Sequence, residues 1–315
     1  MASRTYIYHL YGYCLRTDIR LPCPETKLDK SLPQIEILHG PATLFERVHT
    51  TAGVLAESTG TSERVDVADG SIYIRWFGHF EFLISPEARH IAWRGLNGGI
   101  RESLYWHLLG PVLSYAMLAH GVEPLHATTV AIDGKAVAFL GRAGDGKSTL
   151  ATACLHAGHK LLTDDVLVIR KVAGRWLAYP GIPRIKLYND ISRYLFRGIR
   201  GAHMNMWTSK AIFRLGAARH QLNPIPLHAL YVLAGSSRRQ VSIRRTSGRT
   251  ALMHLIRHTY NGLVTDPVRL QSQLLFCNTI AKEFPVNLLS YPRKKEMLKS
   301  VVATVARDVS CRKLP

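Results

Sequence analysis

Near the middle of the 315-residue chain stands the run Gly141-Arg142-Ala143-Gly144-Asp145-Gly146-Lys147-Ser148, which fits the pattern G-x-x-x-x-G-K-[ST] at every position. The apolar segment 135–140 before it predicts a buried strand, and segment 149–157 after it predicts a helix that ends at Gly158. In this context glycines turn backbone N–H groups onto phosphate oxygens at a helix N-terminus. The run therefore predicts a site for ATP and Mg²⁺. Residues Gly141 to Thr149 would hold the nucleotide, Lys147 would reach the outer phosphates, and Ser148 would ligate the metal.

Two adjacent aspartates, Asp164 and Asp165, follow the loop lysine by one predicted helix and stand inside the apolar segment 160–170. Burying a carboxylate costs several kcal/mol unless a cation or hydrogen bonds compensate it. Side chains alternate along a strand, so we expect the two carboxylates to point to opposite faces, one at a metal and one toward an acceptor. The alternative, two solvent-facing residues at a strand end, stays open at this point.

The net charge of +19 is concentrated downstream of the loop. Between Asp190 and Asp266 there is no acidic residue, and the basic segment 193–257 holds twelve lysines and arginines. A field of one sign attracts an acidic partner, so we predict that this segment docks an acidic or carboxylate-bearing peptide. A solvated basic face without a partner is the alternative.

Cysteine usage and hydropathy indicate the compartment. The five cysteines are odd in number and form no C-x-x-C pair, which favours a reduced protein. The first residues lack the layout of a signal peptide, and the most apolar stretch, 104–119, is shorter than a membrane span. We therefore predict a cytoplasmic protein with no membrane role.

The chain is predicted to have an α/β (α+β) fold with two domains. Residues 1–98 contain β-rich runs separated by turn residues and predict a small β-rich domain. Residues 99–315 begin with a buried helix, about 100–120, and continue through the phosphate loop into alternating strands and helices. We assign the nucleotide chemistry to this second domain.

Several motifs together resemble the HPr serine kinase family, which shares its nucleotide-binding core with ATP-dependent phosphoenolpyruvate carboxykinase. These are the loop 141–150, the run Leu162-Thr163-Asp164-Asp165-Val166, the run Leu125-His126 before a hairpin, and segments 11–22 and 179–184. The likeness is sharpest over about 121–190. Within the family the chain looks most like kinases encoded beside lasso peptide genes, which phosphorylate the C-terminal serine of a precursor peptide.

The resemblance implies roles for particular residues. Asp164 would be the general base, Asp165 and Ser148 would hold Mg²⁺, and His126 would lie near the phosphates or the metal. For His126, an ordinary core histidine is the alternative. The resemblance also leaves a homo-oligomer open.

The chain departs from the family at two places. Thr149 replaces an acidic residue after the loop serine, and segment 183–189 replaces a glycine-rich signature linked to the reverse phosphorolysis reaction. Both HPr as a substrate and phosphorylase activity are therefore in doubt. In the replaced segment, Arg184 and Lys186 are candidates for neutralising transition-state charge, or else ordinary surface cations.

Three hypotheses for the function follow. The first is a Mg-ATP-dependent kinase acting on a serine of a ribosomal peptide, such as the C-terminal serine of a lasso precursor. The second keeps the chemistry but changes the acceptor to a folded protein or a small metabolite. The third is a nucleotide-gated module that binds nucleic acid, which is disfavoured because no RNA- or DNA-binding motif is present and Asp164 would have no role.

Overall fold

The computed structural model describes residues 4–50, 53–188, 191–192, 203–204, 210–235, 240–262 and 264–311. The chain divides into two compact units, Met1–Val122 and Glu123–Pro315. Parts of the basic segment, residues 193–202, 205–209 and 236–239, lie outside the described residues. None of the described helices is both long and apolar enough to cross a membrane.

The first unit is built on one sheet, which among the described residues has eight strands in the order β1-β2-β3-β8-β7-β6-β5-β4. In chain order these are β1 Tyr6–Leu10, β2 Tyr13–Thr17, β3 Gln34–His39, β4 Gly53–Ser58, β5 Ser62–Val67, β6 Ile72–Trp76, β7 Phe80–Ile84 and β8 His90–Gly95. Strand β3 is parallel to both of its neighbours, and the other pairs are antiparallel. The β-rich character predicted for residues 1–98 is confirmed.

The helices described in the first unit are α1 Ala42–Thr50, α2 Arg101–His107 and α3 Leu113–Ala119. The sequence predicts one continuous helix over about 100–120, but a π-helical turn, Leu108–Val112, separates α2 from α3. Pro111 lies inside this turn and has no N–H to donate, so the regular i→i−4 bonding cannot continue through it.

This helical segment belongs to the first unit. The Tyr105 hydroxyl donates to the Arg20 carbonyl at 2.7 Å, and the Tyr11 hydroxyl donates to the Leu109 carbonyl at 3.3 Å. The sequence prediction places its boundary between residues 98 and 99, so the two divisions differ by this segment.

The second unit contains, among its described residues, a mixed sheet of nine strands and a separate sheet of three. The strands are β9 Leu125–Ile132, β10 Lys135–Leu140, β11 Lys160–Thr163, β12 Val166–Leu167, β13 Ile169–Val172, β14 Arg175–Ala178, β15 Arg184–Tyr188, β16 His203–Met204, β17 Lys210–Arg214, β18 Ile225–Gly235, β19 Ser242–Arg245 and β20 Val286–Tyr291. The larger sheet follows the path β11-β9-β10-β18-β14-β13, with β12 on β9 and with β20 on β18 and β19. The smaller sheet has the order β15-β17-β16.

Helices cover both faces of the larger sheet. They are α4 Lys147–His156, α5 Gly248–Arg257, α6 Pro267–Glu283 and α7 Leu298–Cys311. Alternate residues of β10 enter the two layers, because Val137 and Phe139 pack with α4 and α7 while Ala138 and Leu140 pack with α5 and α6. A strand covered on both sides reads as a continuous apolar run, and the predicted buried strand is confirmed. The mixed α/β fold class is confirmed as well.

A buried ion pair between Arg269 and Glu123 links α6 to the start of the second unit. Arg269 donates to both oxygens of Glu123, at 3.1 and 2.7 Å, and to the Val264 carbonyl at 2.8 Å. Burial raises the pKa of Glu123, and the hydrogen bonds and charge of Arg269 oppose that rise. The pair holds Val264 and segment 258–262 next to β9, where Tyr260 N–H donates to the Pro124 carbonyl.

Replacing Arg269 by Met is expected to reduce the free energy of unfolding by about 3 kcal/mol, because Glu123 is left buried without its cation. Urea denaturation measures this loss. The deficit should shrink as pH falls, since protonation of Glu123 removes the unpaired charge. The double variant Arg269→Met/Glu123→Leu should recover most of the stability, and a single variant as stable as the parent would contradict the assignment.

Candidate active site

The phosphate loop occupies the turn between β10 and α4, and Lys147 is the first residue of the helix. The Lys147 ammonium donates to the carbonyls of Gly141 at 2.7 Å and Arg142 at 3.1 Å, and to His126 Nε2 at 3.0 Å. Burial and the nearby charges of Lys147 and Lys186 lower the pKa of His126 to about 3, so its ring is neutral. Since Nε2 accepts a hydrogen bond from Lys147, Nδ1 carries the ring proton. The structure thus brings His126 to the loop lysine.

Two features shape the loop itself. Gly146 has φ of 94°, a left-handed conformation that a side chain would strain, so glycine is required before the helix. Asp145 accepts from the Arg142 N–H at 2.6 Å and from Arg293 at 2.9 Å. Burial acts to raise the pKa of Asp145, but these hydrogen bonds leave it below its usual value. Arg293 therefore ties the loop to the segment after β20, a contact that the sequence does not predict.

Asp164 is the carboxylate next to the loop. Its Oδ1 accepts from the hydroxyls of Ser148 at 3.0 Å and Thr128 at 2.7 Å, and its Oδ2 accepts from the Lys186 N–H at 3.1 Å. The side chain is buried, with 9% relative exposure. The predicted alternative of two solvent-facing residues is therefore wrong for Asp164. Hydrogen bonds from three donors compensate the cost of burying this charge.

Asp165 lies at a break between β11 and β12, both of which pair with β9. Its φ of 73° is left-handed, and the Thr163 hydroxyl closes the break by donating to the Val166 carbonyl at 2.7 Å. The Asp165 carboxylate forms an ion pair with the Lys186 ammonium. The expectation of opposite faces on a continuous strand is wrong, because the break turns both carboxylates toward β15, where each contacts Lys186.

Three lysines lie near one another at this site. Lys147 and Lys186 are 6% and 5% exposed, and Lys210 lies on β17, which pairs with β15. Burial lowers the pKa of Lys186 to about 7 and of Lys147 to about 8, and in both cases repulsion from Lys210 adds to the lowering while Asp164 opposes it. Such crowding of cations suits a polyanionic ligand such as a nucleoside triphosphate.

Two residues of this site, Thr128 and Lys210, escape local sequence reasoning. Thr128 lies on β9 two residues after His126, and the antiparallel pairing of β9 with β11 brings it near Asp164. Lys210 has no local signal, because only the pairing of Tyr188 with Lys210 brings it near. The sequence predicts Lys186 together with Arg184, but the contacts that single out Lys186 depend on the position of β15.

Arg184 is buried at the start of β15, two residues before Lys186 and by strand alternation on the same side. Its predicted catalytic role stays a prediction. Thr149 follows Ser148 in the first turn of α4 and is half-buried.

The oxygen atoms available here fit the predicted Mg²⁺. Ser148, Asp164 and Asp165 supply a hydroxyl and two carboxylates, the donor types that Mg²⁺ takes together with substrate phosphates and water. Within the described residues no group of three or more His, Cys, Asp or Glu side chains is placed to hold a metal ion. The structure joins Ser148 to Asp164 and Asp165 to Lys186, while the division of metal and base roles between the aspartates stays a prediction.

No protein-family model and no curated protein matches this chain. Among solved structures, the Hpr(Ser) kinase/phosphatase from Coxiella burnetii aligns with 60% of this chain and 99% of its own, at 14% sequence identity and a TM-score of 0.33. A likeness of that size carries no argument about the chemistry, which has to rest on the residues of the site.

Proposed function

We propose that the protein is a Mg-ATP-dependent kinase that transfers the terminal phosphoryl group to a serine hydroxyl of a ribosomal peptide. The observation that carries the proposal is the position of Asp164, a buried carboxylate 3.0 Å from the phosphate-loop hydroxyl of Ser148. A carboxylate at that distance from the loop is also within reach of a hydroxyl that attacks the terminal phosphate.

The transfer needs positioning and charge neutralisation more than covalent help from the protein. The serine oxygen attacks the γ-phosphorus, the bond from that phosphorus to the β–γ bridging oxygen breaks, and ADP leaves. Asp164 accepts the hydroxyl proton as the new bond forms. Lys147 and Lys186 stabilise the negative charge on the phosphoryl oxygens.

Mg²⁺ bound by Ser148 and Asp165 would neutralise phosphate charge. His126 is neutral and adds no positive charge of its own, so we assign it a positioning role: it accepts a hydrogen bond from Lys147 and holds the ammonium at the loop.

A peptide acceptor is supported by the sequence resemblance and by the positive charge of the chain. A serine at the C-terminus of a peptide brings its own carboxylate, which a basic surface attracts. A lasso precursor is the acceptor class that the resemblance suggests, and HPr is not, because segment 183–189 lacks the glycine-rich signature.

The test is an intact-mass assay of the purified protein with Mg-ATP and a precursor peptide encoded by a neighbouring gene. We expect the peptide to gain the mass of at least one phosphoryl group, and fragmentation to place that group on serine. A peptide with that serine replaced by alanine is the matched control. An unmodified peptide, with ATP binding intact, would overturn the peptide acceptor and direct the search to folded proteins or metabolites.

A further inference from the structure

A groove of about 620 Å³ lies between the C-terminal end of α4 and helix α7, away from the phosphate loop. Its floor is apolar and includes Leu298 and Val302, which belong to the core layer formed by α4 and α7. Ala303 and Ala306, which also line the groove on α7, have small side chains. The groove therefore presents an apolar surface that large side chains of another molecule could fill.

Two lysines give one side of the groove a positive charge. Lys299 lies in the first turn of α7 and Lys295 in the short 3₁₀ turn, Lys295–Met297, that precedes it, while His156 ends α4 and His159 follows that helix. The described residues that line the groove include no aspartate or glutamate. An apolar floor bordered by two lysines is complementary to an amphipathic segment whose apolar face is flanked by carboxylates.

We propose that this groove binds an acidic, amphipathic helical segment of the peptide substrate, at a distance from the serine that is phosphorylated. The inference rests on the proposed function and adds a second docking site to it. It differs from the sequence prediction, which places peptide docking on the basic segment 193–257. The groove is formed by other residues, at the C-terminal end of α4 and along α7.

Helix α4 sets the distance between the two sites. His156 follows Lys147 by nine residues, which corresponds to about 14 Å along the helix axis. An extended chain covers about 3.3 Å per residue, so about five residues or more must separate the docked segment from the acceptor serine. A substrate with a shorter linker should bind the groove and still fail to reach Asp164.

The probe for binding is a fluorescein-labelled helical peptide of about 14 residues, with leucines on one face and glutamates on its flanks. Fluorescence anisotropy compares the parent protein with Lys295→Glu/Lys299→Glu, which reverses the rim charge, and with Ala303→Trp, which fills the groove without changing charge. We expect each variant to weaken binding about tenfold or more. The control Arg175→Glu/Lys282→Glu makes the same change of charge at two exposed residues outside the groove, and it should bind as the parent does.

The proposal fails if the control weakens binding as much as the rim variant, because the peptide is then attracted only by net charge. It also fails if Ala303→Trp binds normally, or if a peptide with lysines in place of the glutamates binds equally well. Anionic vesicles that bind with the same dependence on Lys295 and Lys299, while the peptide does not bind, would make this surface a membrane contact instead. Thermal unfolding of each variant checks that the fold is retained.

Phosphorylation then separates this inference from the proposed function. The same peptide is joined to a C-terminal serine through a linker of about two or about eight residues. If the peptide binds in the groove but its serine gains no phosphate, the proposed kinase activity is contradicted and the proposed binding site is supported. If phosphorylation is equal in the parent and in the rim variant, or equal for both linkers, the proposed kinase activity is supported and the proposed binding site is contradicted.

Discussion

Replacing Asp164 by Asn is expected to lower the rate of phosphoryl transfer by about 10³-fold, because a positioned base contributes about 10²–10⁴-fold. Affinity for ATP should change less than threefold, a difference of under about 1 kcal/mol. The amide has the shape of the carboxylate and can still accept hydrogen bonds from Ser148 and Thr128, but it cannot take up a proton at neutral pH.

The hydrogen bonds of Asp164 explain why the loss should fall on the chemical step. An ionised carboxylate offers about four acceptor positions, and donors from Ser148, Thr128 and Lys186 fill three of them. One position on Oδ2 remains for the hydroxyl of an acceptor. The three protein donors fix the carboxylate, and the fourth position is where a substrate proton can be received.

Asp165→Asn is the matched comparison, since it removes the neighbouring charge and leaves the contacts of Asp164 in place. If Asp165 helps to hold Mg²⁺, this variant should raise the Mg²⁺ concentration needed for half-maximal rate, and excess metal should restore part of the activity. Single-turnover assays over a range of Mg²⁺ concentrations measure both variants. If added Mg²⁺ restored activity to Asp164→Asn but not to Asp165→Asn, Asp164 would be the metal ligand and Asp165 the general base.

The sequence predicts those parts of the site that are local in the chain. The loop 141–148 and its flanking strand and helix follow from glycine spacing, apolar runs and helix propensity, and all three elements are present. The nearness of the aspartates to the loop follows because one short helix connects them. Such features depend on neighbours within about twenty residues.

The rest depends on pairings that no local pattern records. The break between Thr163 and Val166 cannot be read from an apolar run, which favours a continuous strand, and it changes where both carboxylates point. Lys186 and Lys210 reach the site through the pairing of β15 with β17. Arg293 contacts the loop from a segment near the end of the chain. Charge composition located the basic segment but could not indicate the groove beside α7.

Lys186→Met is expected to reduce kcat by about 10²-fold or more, with a smaller effect on ATP affinity. Lys186 contacts both aspartates, through its backbone N–H to Asp164 and through its ammonium to Asp165. Methionine keeps the volume and the backbone bond but removes the charge. Because the position of Asp164 is retained, a loss of activity reports on the ammonium. Steady-state kinetics with varied ATP separates kcat from KM.

Lys186→Met removes the cation that pairs with Asp165 and can therefore lower stability as well as activity. The two effects have to be measured separately. The double variant Lys186→Met/Asp165→Asn removes both partners of the ion pair. We expect it to regain the stability lost in the single variant, measured by thermal unfolding, and to remain as inactive or more so. Recovery of activity together with stability would show that Lys186 only balances Asp165, and the catalytic role would be withdrawn.

The pH dependence provides the readout that a structural role would not change. Burial lowers the pKa of Lys186 to about 7, so in the free enzyme its ammonium is present below that pH and lost as pH rises through it. kcat/KM should therefore fall as pH rises through about 7, since it reports groups of the free enzyme. Lys186→Arg keeps its charge at all these values and should remove that fall, leaving the one near pH 8 that belongs to Lys147. A profile identical to that of the parent would mean that the charge on Lys186 is not used in the transfer.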